Sequence, residues 1–290
     1  MKKRKITRVV TLSLAALMAL GLAGCGGGSQ ESSDGAGDIT VISREEGSGT
    51  RDAFVEITGV MEDDVDRTVD TAEISNSTSV VTQSVAGNEA AIGYISLGSM
   101  SDEVKSLKLN GVEATVDNVK SGDYELQRPF NIVTKGELEK LPQDFVDFIM
   151  SADGQAIIEE EGYIAVSDGA EQYEASGLEG TITLAGSTSV APVMEVLADK
   201  YKELNEGVTI EIQQTGSGAG IQSTIEGVCD IGMASRELKD EEASEGLDSQ
   251  EIALDGIAVI VNTANAAEDL SMDQLMKIFT GEITSWSELQ

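Results

Sequence analysis

Histidine is missing from this 290-residue chain, and basic residues are scarce. Histidine is the commonest metal ligand and general base in proteins, so its absence argues against most metal sites and hydrolytic centres. The 52 acidic residues outnumber the 19 Lys and Arg, which gives a formal net charge of −33. A surface with this charge repels nucleic acid and anionic membranes. We therefore expect no nucleic-acid partner.

The chain has only two cysteines, Cys25 and Cys229. If Cys25 is modified, Cys229 is left alone and no intrachain disulfide can form. Cys229 lies in the apolar segment 227–232, where we expect it to be a small buried hydrophobe. Acidic residues are plentiful, but none has the spacing typical of metal ligands. We therefore expect neither a metal site nor a cofactor.

The N-terminal segment has the pattern of an exported lipoprotein. Basic residues at 2–5 precede an apolar run over 9–22 and a small-residue stretch that ends at Cys25. This pattern predicts a secretory signal peptide over residues 1–24, and the run is shorter than a typical membrane span. The cysteine after small residues resembles a bacterial lipobox, which implies lipidation of Cys25. The alternative is an ordinary signal peptide with a cysteine nearby by chance.

Glycine and serine dominate residues 25–37, which predicts a flexible tether between a lipid anchor and the folded body. Removal of residues 1–24 takes away five basic residues and no acidic ones, so the net charge becomes about −38. An anion site in such a protein has to be built from local donors, against the field of the whole surface.

From residue 38 onward, short apolar strands alternate with helical segments. Strands are predicted at 38–43, 90–96, 104–109, 129–133, 181–184, 208–213, 230–234 and 252–261. Helices are predicted from 51 onward, at 80–85, at 141–161 with a break at 153–154, and at 190–204, 221–227 and 272–279. This alternation predicts an α/β fold with a mainly parallel sheet. The acidic segment 167–180 has no apolar period and is predicted to be a linker.

Three segments share the order strand, small-residue turn, helix: 44–50, 186–189 and 216–220. Helix N-termini present unpaired N–H groups and a partial positive charge, and hydroxyls and glycines let the backbone close on an anion. Arg44 adds a guanidinium that can hold an oxyanion through two N–H groups. The alternative for each turn is ordinary helix capping. Since none matches a dinucleotide loop or a P-loop, the spacing predicts only an α/β protein with an oxyanion site.

Five segments closely resemble signatures of the phosphate-binding proteins of phosphate ABC transporters. They are 44–54 (REEGSGTRDAF), 185–192 (AGSTSVAP), 216–220 (GSGAG), 230–238 (DIGMASREL) and 278–283 (IFTGEI). In that family the segment like 181–289 precedes the segment like 39–166, so the chain resembles a circular permutant joined by 167–180. A pair of partial lobes from a truncated gene is the alternative. Because chain termini commonly lie close together, such a join is physically easy.

The resemblance implies a two-lobed α/β fold of the type II periplasmic-binding-protein kind, circularly permuted, with a ligand cleft between the lobes. One lobe is expected to comprise residues 38–127 and 263–290, and the other residues 128–262. The family binds phosphate through hydroxyls, backbone N–H groups and one arginine. By motif position this implies the phosphate-binding residues Arg44, Ser48, Gly49, Thr50, Thr188, Ser189, Ser217 and Ser235.

Two details of the implied site are specific to this sequence. Ser235 stands where some family members have an aspartate that accepts the proton of hydrogen phosphate, which leaves the discrimination of phosphate from sulfate open. Glu46 is expected to pair with Arg44 and orient it.

The function that the resemblance implies is capture of inorganic phosphate and its delivery to the permease subunits of an ABC importer. The protein is expected to be a monomer on the extracytoplasmic face of the cell membrane, anchored through lipidated Cys25. Alternatives are a binding protein for another tetrahedral oxyanion, and a phosphate-sensing or adhesion protein on the same fold. A phosphoryl-transfer hydrolase using Ser48 is disfavoured, because no base–nucleophile pair is evident. We therefore expect no catalytic residues.

Overall fold

The structure is a computed structural model that describes residues 37–167 and 170–289. The predicted signal peptide 1–24, the lipidation site Cys25 and the tether as far as residue 36 lie outside the described residues. Among the described helices, none has the length and apolar content needed to span a membrane.

Helices and strands alternate along the described chain, as the sequence predicts. The strands are β1 (Thr40–Arg44), β2 (Met61–Glu62), β3 (Val65–Asp66), β4 (Glu73–Ser75), β5 (Ala91–Ser96), β6 (Val104–Ser106), β7 (Lys108–Leu109), β8 (Gln127–Lys135), β9 (Ile164–Ala165), β10 (Gly180–Gly186), β11 (Val208–Gln214), β12 (Ile231–Ala234), β13 (Leu247–Asn262) and β14 (Asp269–Leu270). The helices are α1 (Gly49–Thr58), α2 (Thr78–Ala86), α3 (Val116–Ser121), α4 (Lys140–Met150), α5 (Ala152–Glu160), α6 (Ala191–Leu204), α7 (Ser217–Glu226), α8 (Asp240–Ala243) and α9 (Met272–Phe279).

One large mixed sheet organises the molecule. Its strands lie in the order β11-β10-β12-β8-β13-β5-β1-β4, with β6 and β9 also paired to β13. The outer strands pair in parallel, as β10 does with β11 and β12 and as β1 does with β4 and β5. The central strands β8 and β13 run antiparallel to their neighbours. The expectation of a mainly parallel sheet therefore holds at both ends of the sheet, and its centre is antiparallel.

Two large hydrophobic cores and a smaller cluster around Ile221 pack against the sheet in the described part of the chain, and the two large cores give the molecule two lobes. The first core contains Phe54, Tyr94 and Phe279, and the second contains Phe130, Phe148 and Tyr201. Strand β13 passes from one core to the other: Ile252 is buried in the second and Ile257 in the first. The apolar run of β13 over 252–261 is long because this part of the strand is buried in both cores, whereas residues 248–251 are exposed.

The beginning of the described chain lies beside its end. The Ile39 N–H donates to the Thr284 carbonyl oxygen at 2.7 Å, and Asp38 and Ser285 form an antiparallel bridge. The circular permutation implied by the resemblance would make the segments before β1 and after α9 neighbours, and this proximity is compatible with that expectation.

Three predicted elements differ from the sequence-based expectation. The helix predicted over 141–161 is divided at Ser151, whose extended backbone ends α4 and whose hydroxyl caps α5 by accepting the Gly154 N–H. The strand predicted over 104–109 is divided into β6, which pairs with β13, and β7, which pairs with β14. Helix α7 begins at Ser217 rather than at 221, so most of the predicted glycine-rich turn is the first turn of the helix.

The predicted linker has no regular structure over its described residues before Gly180, where β10 begins, but it packs on the second core. The Tyr173 hydroxyl donates to the Asp144 carboxylate at 2.6 Å, and its ring meets Phe148 edge-on at 5.2 Å. Tyr201 donates to the same carboxylate oxygen at 2.6 Å. One carboxylate thus holds the linker to the helices beneath it, a contact that the sequence pattern does not reveal.

Candidate anion site

The three small-residue turns converge at one place. Strands β1, β10 and β11 end there, and helices α1, α6 and α7 begin within a few residues of those ends. The Gly218 N–H, in the first turn of α7, donates to the carbonyl oxygen of Gly47 before α1 at 2.9 Å. In open α/β sheets the crevice at the carboxyl ends of the strands is the usual ligand site.

Arg44 lies at the centre of this region, with only 2% of its side chain exposed. Its Nη2 donates to Thr188 Oγ1 at 3.0 Å, which links β1 to the turn before α6. Its Nε and Nη2 also donate to the Glu45 carboxylate at 2.8 and 2.9 Å. The guanidinium is therefore held in one orientation by a neighbouring carboxylate while it faces hydroxyls of the opposite turn.

The expected pairing of Arg44 with Glu46 is wrong. Glu45 makes both contacts, and Glu46 is exposed. The reason is local geometry: the side chain of Glu45, directly after β1, reaches back along the guanidinium, whereas Glu46 belongs to the turn that ends at Gly47, where φ is +81°.

Buried hydroxyls surround the guanidinium. Thr50 Oγ1 and Ser189 Oγ lie 2.9 Å apart, and Ser217 Oγ and Ser235 Oγ lie 3.4 Å apart. Gly49 lies against the second pair, since an added Cβ would sit 2.5 Å from Ser217 Oγ and 2.7 Å from Ser235 Oγ. We call the hydroxyls of Ser48, Thr50, Thr78, Thr188, Ser189, Ser217 and Ser235, together with the Arg44 guanidinium, the hydroxyl cluster. All of these residues are buried.

The scaffold orients several of these hydroxyls toward the centre of the cluster. Ser217 Oγ accepts the Ser235 N–H at 3.2 Å, and Ser48 Oγ accepts the Arg51 N–H at 3.4 Å. Ser235 Oγ accepts the hydroxyl of Ser187 at 3.0 Å. Because each oxygen is engaged as an acceptor, its own proton is left to donate. The Thr50–Ser189 pair differs, since either hydroxyl can donate to the other.

The side chain of Tyr94 supports strand β1 next to the cluster. The Tyr94 hydroxyl lies 2.8 Å from Ser43 Oγ and accepts the Arg44 N–H at 3.2 Å. The ring of Tyr94 stacks on Phe54 of α1 with centroids 3.9 Å apart. Burial raises the pKa of Tyr94. The phenol therefore stays neutral and acts as a fixed hydrogen-bonding group that positions the backbone of Arg44.

Thr78 was not predicted, although it lies within the cluster. Its Oγ1 is 3.4 Å from Arg44 Nη1, 3.3 Å from Thr188 Oγ1 and 3.2 Å from Ser189 Oγ. Thr78 is the first residue of α2, directly after the cap Ser77. The order strand, small-residue turn, helix therefore occurs a fourth time. Strand β4 is only three residues long and has no apolar pattern, so the sequence does not predict it.

An ion pair joins the two lobes beside the cluster. Arg236, directly after Ser235, places its Nε 2.9 Å from Asp52 Oδ2 of α1, although the N–H is not aligned on that oxygen as a hydrogen bond. Its Nη1 and Nη2 donate to Glu242 at 2.7 and 2.8 Å. Burial opposes the charge of Arg236, but Glu242 and Asp52 outweigh it and raise the pKa of the guanidinium. The residue is therefore a permanent cation between the lobes.

A second ion pair lies where β8 and β13 cross from lobe to lobe. Arg128 Nη2 and Asp255 Oδ2 are 3.0 Å apart, and both side chains are 1% exposed. Ser96 also donates to Asp255, at 2.8 Å. Burial raises the pKa of Asp255, and Arg128 and Ser96 oppose that shift. Each partner therefore depends on the other to offset the cost of its burial.

The described residues hold no group of His, Cys, Asp and Glu that could bind a metal ion. Nor is any hydroxyl of the cluster hydrogen-bonded to a carboxylate within the described parts of the chain. The site therefore offers hydroxyls, N–H groups and one guanidinium, a donor set that suits an oxyanion. Cys229 is buried and unpaired, as expected.

A cavity of about 420 Å³ opens onto the hydroxyl cluster. It lies between α2 and the turn before α6, and polar side chains from both lobes line it, among them Ser77, Gln83, Ser101 and Gln214. Thr78 and Thr188 belong both to its lining and to the cluster. The cavity therefore reaches the edge of the cluster at these two threonines.

Two α/β lobes joined by crossing strands, with a buried donor cluster between them, define a protein of the periplasmic-binding type. A sequence profile described as the PBP superfamily domain matches residues 29–153 and 171–290. The chain belongs to this superfamily and, within it, to the family of phosphate-binding proteins of phosphate ABC transporters. The prediction of the family and of the two-lobed fold is confirmed.

Individual relatives support this placement over the whole length of the chain. Phosphate-binding protein PstS 2 of Streptococcus agalactiae serotype V is 49% identical over 296 residues, covering 100% of this chain and 99% of that one. The protein of the same name from Streptococcus pneumoniae serotype 4 is 47% identical over 291 residues, covering 99% and 100%. The crystal structure of a phosphate-binding protein of a phosphate ABC transporter from S. pneumoniae TIGR4 has a TM-score of 0.71 at 48% identity, covering 88% of this chain and 100% of that chain.

Proposed function

We propose that this chain captures inorganic phosphate outside the membrane and delivers it to the permease subunits of an ABC importer. The observation that carries the proposal is the hydroxyl cluster, in which Arg44 and Thr50 from one lobe contact Thr188 and Ser189 from the other. The names of the full-length relatives give the same ligand and the same kind of transporter.

The eight residues implied by the family resemblance form the proposed phosphate site. Arg44, Ser48, Gly49 and Thr50 belong to one lobe, and Thr188, Ser189, Ser217 and Ser235 to the other. A micromolar dissociation constant requires about 8 kcal/mol. Several charge-assisted bonds of about 1.5–3 kcal/mol each can supply it, together with helix N-termini that contribute roughly 0.3–2 kcal/mol each.

The lobes of this proposal comprise residues 38–127 with 263–290, and residues 128–262. We propose that they meet along β8 and β13 and that segment 167–180 joins the termini of the unpermuted order. The contact between Ile39 and Thr284 supports this reading. The role of the chain is binding alone, with no catalytic step, because a donor cluster without a base has no group that could activate a nucleophile.

Phosphate is proposed over sulfate and other tetrahedral oxyanions. Hydrogen phosphate carries a proton that needs an acceptor, and the Thr50–Ser189 pair offers hydroxyl oxygens in place of an aspartate at Ser235. Calorimetric titration of residues 38–290 with phosphate and with sulfate tests the assignment. We expect micromolar or tighter binding of phosphate and much weaker binding of sulfate. Equal affinities would reopen the ligand assignment, and no heat with phosphate would refute the proposal.

We further propose that lipidated Cys25 anchors the mature monomer at the extracytoplasmic face of the cell membrane. The small residues before Cys25 and the tether after it support this location. Cys25→Ser is expected to release the protein from the membrane fraction without changing its affinity for phosphate. Recovery of this variant in the membrane at the wild-type level would contradict the anchor.

A further inference from the structure

We infer that Thr78 is a further ligand residue of the cluster and donates its hydroxyl proton to the bound oxyanion. The inference rests on the proposed function and adds a fourth turn, from helix α2, to the site. The family resemblance did not point to this residue.

The position of the hydroxyl is the first argument. Thr78 Oγ1 lies within 3.4 Å of three groups of the proposed site, on Arg44, Thr188 and Ser189. These groups come from β1 and from the turn before α6, so Thr78 is enclosed by both lobes. An oxyanion that bonds to all three groups lies within reach of the Thr78 hydroxyl as well.

The direction of the hydroxyl proton is the second argument. Arg44 Nη1 donates to Thr78 Oγ1, so the threonine oxygen already serves as an acceptor and its proton points to another partner. Arg44 Nη2 engages Thr188 in the same way. The guanidinium thus leaves one hydroxyl from each lobe able to donate its proton. An anion requires hydrogen-bond donors of this kind.

The place of Thr78 in α2 is the third argument. Ser77 caps the helix by accepting the Val80 N–H, and Thr78 follows as the first helical residue. The N-terminus of the helix, with its partial positive charge, therefore faces the guanidinium side of the cluster. Thr78 and Thr188 also line the cavity of about 420 Å³, so their side chains border both the cavity and the cluster.

Thr78→Val tests the inference, because valine has nearly the shape of threonine and lacks the hydroxyl. Thr82→Val is the matched control: Thr82 is also buried in α2, one turn later, and lines the same cavity, but its hydroxyl donates to the Thr78 carbonyl oxygen at 3.3 Å, outside the cluster. We expect Thr78→Val to weaken phosphate binding by about tenfold or more, as loss of a bond to a charged group does. Thr78→Ser and Thr82→Val should bind within about twofold of the wild type.

Calorimetry with inorganic phosphate gives the affinities, and thermal unfolding without ligand gives the stability of each variant. Equal affinities of Thr78→Val and Thr82→Val would overturn the inference while leaving the proposed function standing. The same holds if Thr78→Ser loses as much affinity as Thr78→Val, since the hydroxyl is then not the group responsible. Failure of the wild type itself to bind phosphate would overturn the proposed function and this inference together.

Discussion

The backbone N–H of Gly218 donates to the carbonyl oxygen of Gly47 at 2.9 Å, and this bond joins turns that belong to different lobes. The two turns are in van der Waals contact, since a Cβ on Gly218 would lie 3.4 Å from Cα of Gly47. Glycine at these turns allows the two backbones to touch directly. The site can therefore close until hydroxyls from both lobes reach one small ligand.

Gly49→Ala should hinder this closure. The new methyl group would lie 2.5 Å from Ser217 Oγ and 2.7 Å from Ser235 Oγ, so these hydroxyls or the backbones that carry them have to shift. Overpacking of this kind costs about 1–3 kcal/mol, so we expect calorimetry to show phosphate binding weaker by about tenfold or more. Gly218→Ala is the control, since its methyl group meets Gly47 at an ordinary distance and should have a smaller effect. The reverse order of effects would contradict this picture of the closed site.

Arg44→Ala should remove the only guanidinium of the cluster. Loss of two charge-assisted bonds predicts a loss of at least about 3 kcal/mol of phosphate binding. Since Glu45 then lacks its partner near the site, its negative charge adds repulsion. Titration with phosphate measures the affinity, and circular dichroism checks that the fold is retained. Affinity close to that of the wild type would remove Arg44 from the site.

Asp52→Asn should weaken the contact between the lobes at Arg236. Arg236 is not left as an unpaired charge, because Glu242 still neutralises the guanidinium. We expect phosphate to bind about threefold to tenfold less tightly, with a faster dissociation rate in stopped-flow measurements. Glu203→Gln, which breaks an ion pair with Lys200 inside α6, is the control and should bind normally. An unchanged dissociation rate in Asp52→Asn would show that this pair does not hold the lobes together.

Asp255→Asn should destabilise the crossing strands by leaving Arg128 as an unpaired buried charge. Removal of one partner of a buried ion pair typically costs about 3–5 kcal/mol. Urea unfolding without ligand measures the loss. The double variant Arg128→Met with Asp255→Leu should recover much of it, because no charge is then left buried. If Asp255→Asn were as stable as the wild type, the ion pair of Arg128 and Asp255 would not stabilise the crossing strands.

Much of this architecture is predictable from the sequence because its signals are local. The strand before Arg44 and the apolar run of β13 are periodic, and glycine and hydroxyl residues mark the turns. The antiparallel centre of the sheet is not predictable in this way, since the direction of β8 relative to β13 depends on how the chain crosses between lobes.

Contacts across long sequence separations account for the other differences. Thr78 contacts Thr188 of the cluster, and no local sequence pattern predicts this contact. Arg44 pairs with Glu45 rather than Glu46 because of the backbone path of the turn. Two adjacent glutamates in a sequence do not indicate which of them faces the arginine. The inter-lobe pair of Asp52 with Arg236 likewise exists only once the lobes are assembled.

The central claim is that one phosphate site is assembled from both halves of the chain, and titration of separate halves tests it most directly. Calorimetry would compare residues 38–290 with fragments 38–166 and 181–290. The structure predicts that the intact chain binds phosphate at micromolar concentration or below and that neither fragment binds measurably, because β13 of the second half pairs with β5 and β8 of the first. A fragment that binds phosphate as tightly as the intact chain would contradict the account.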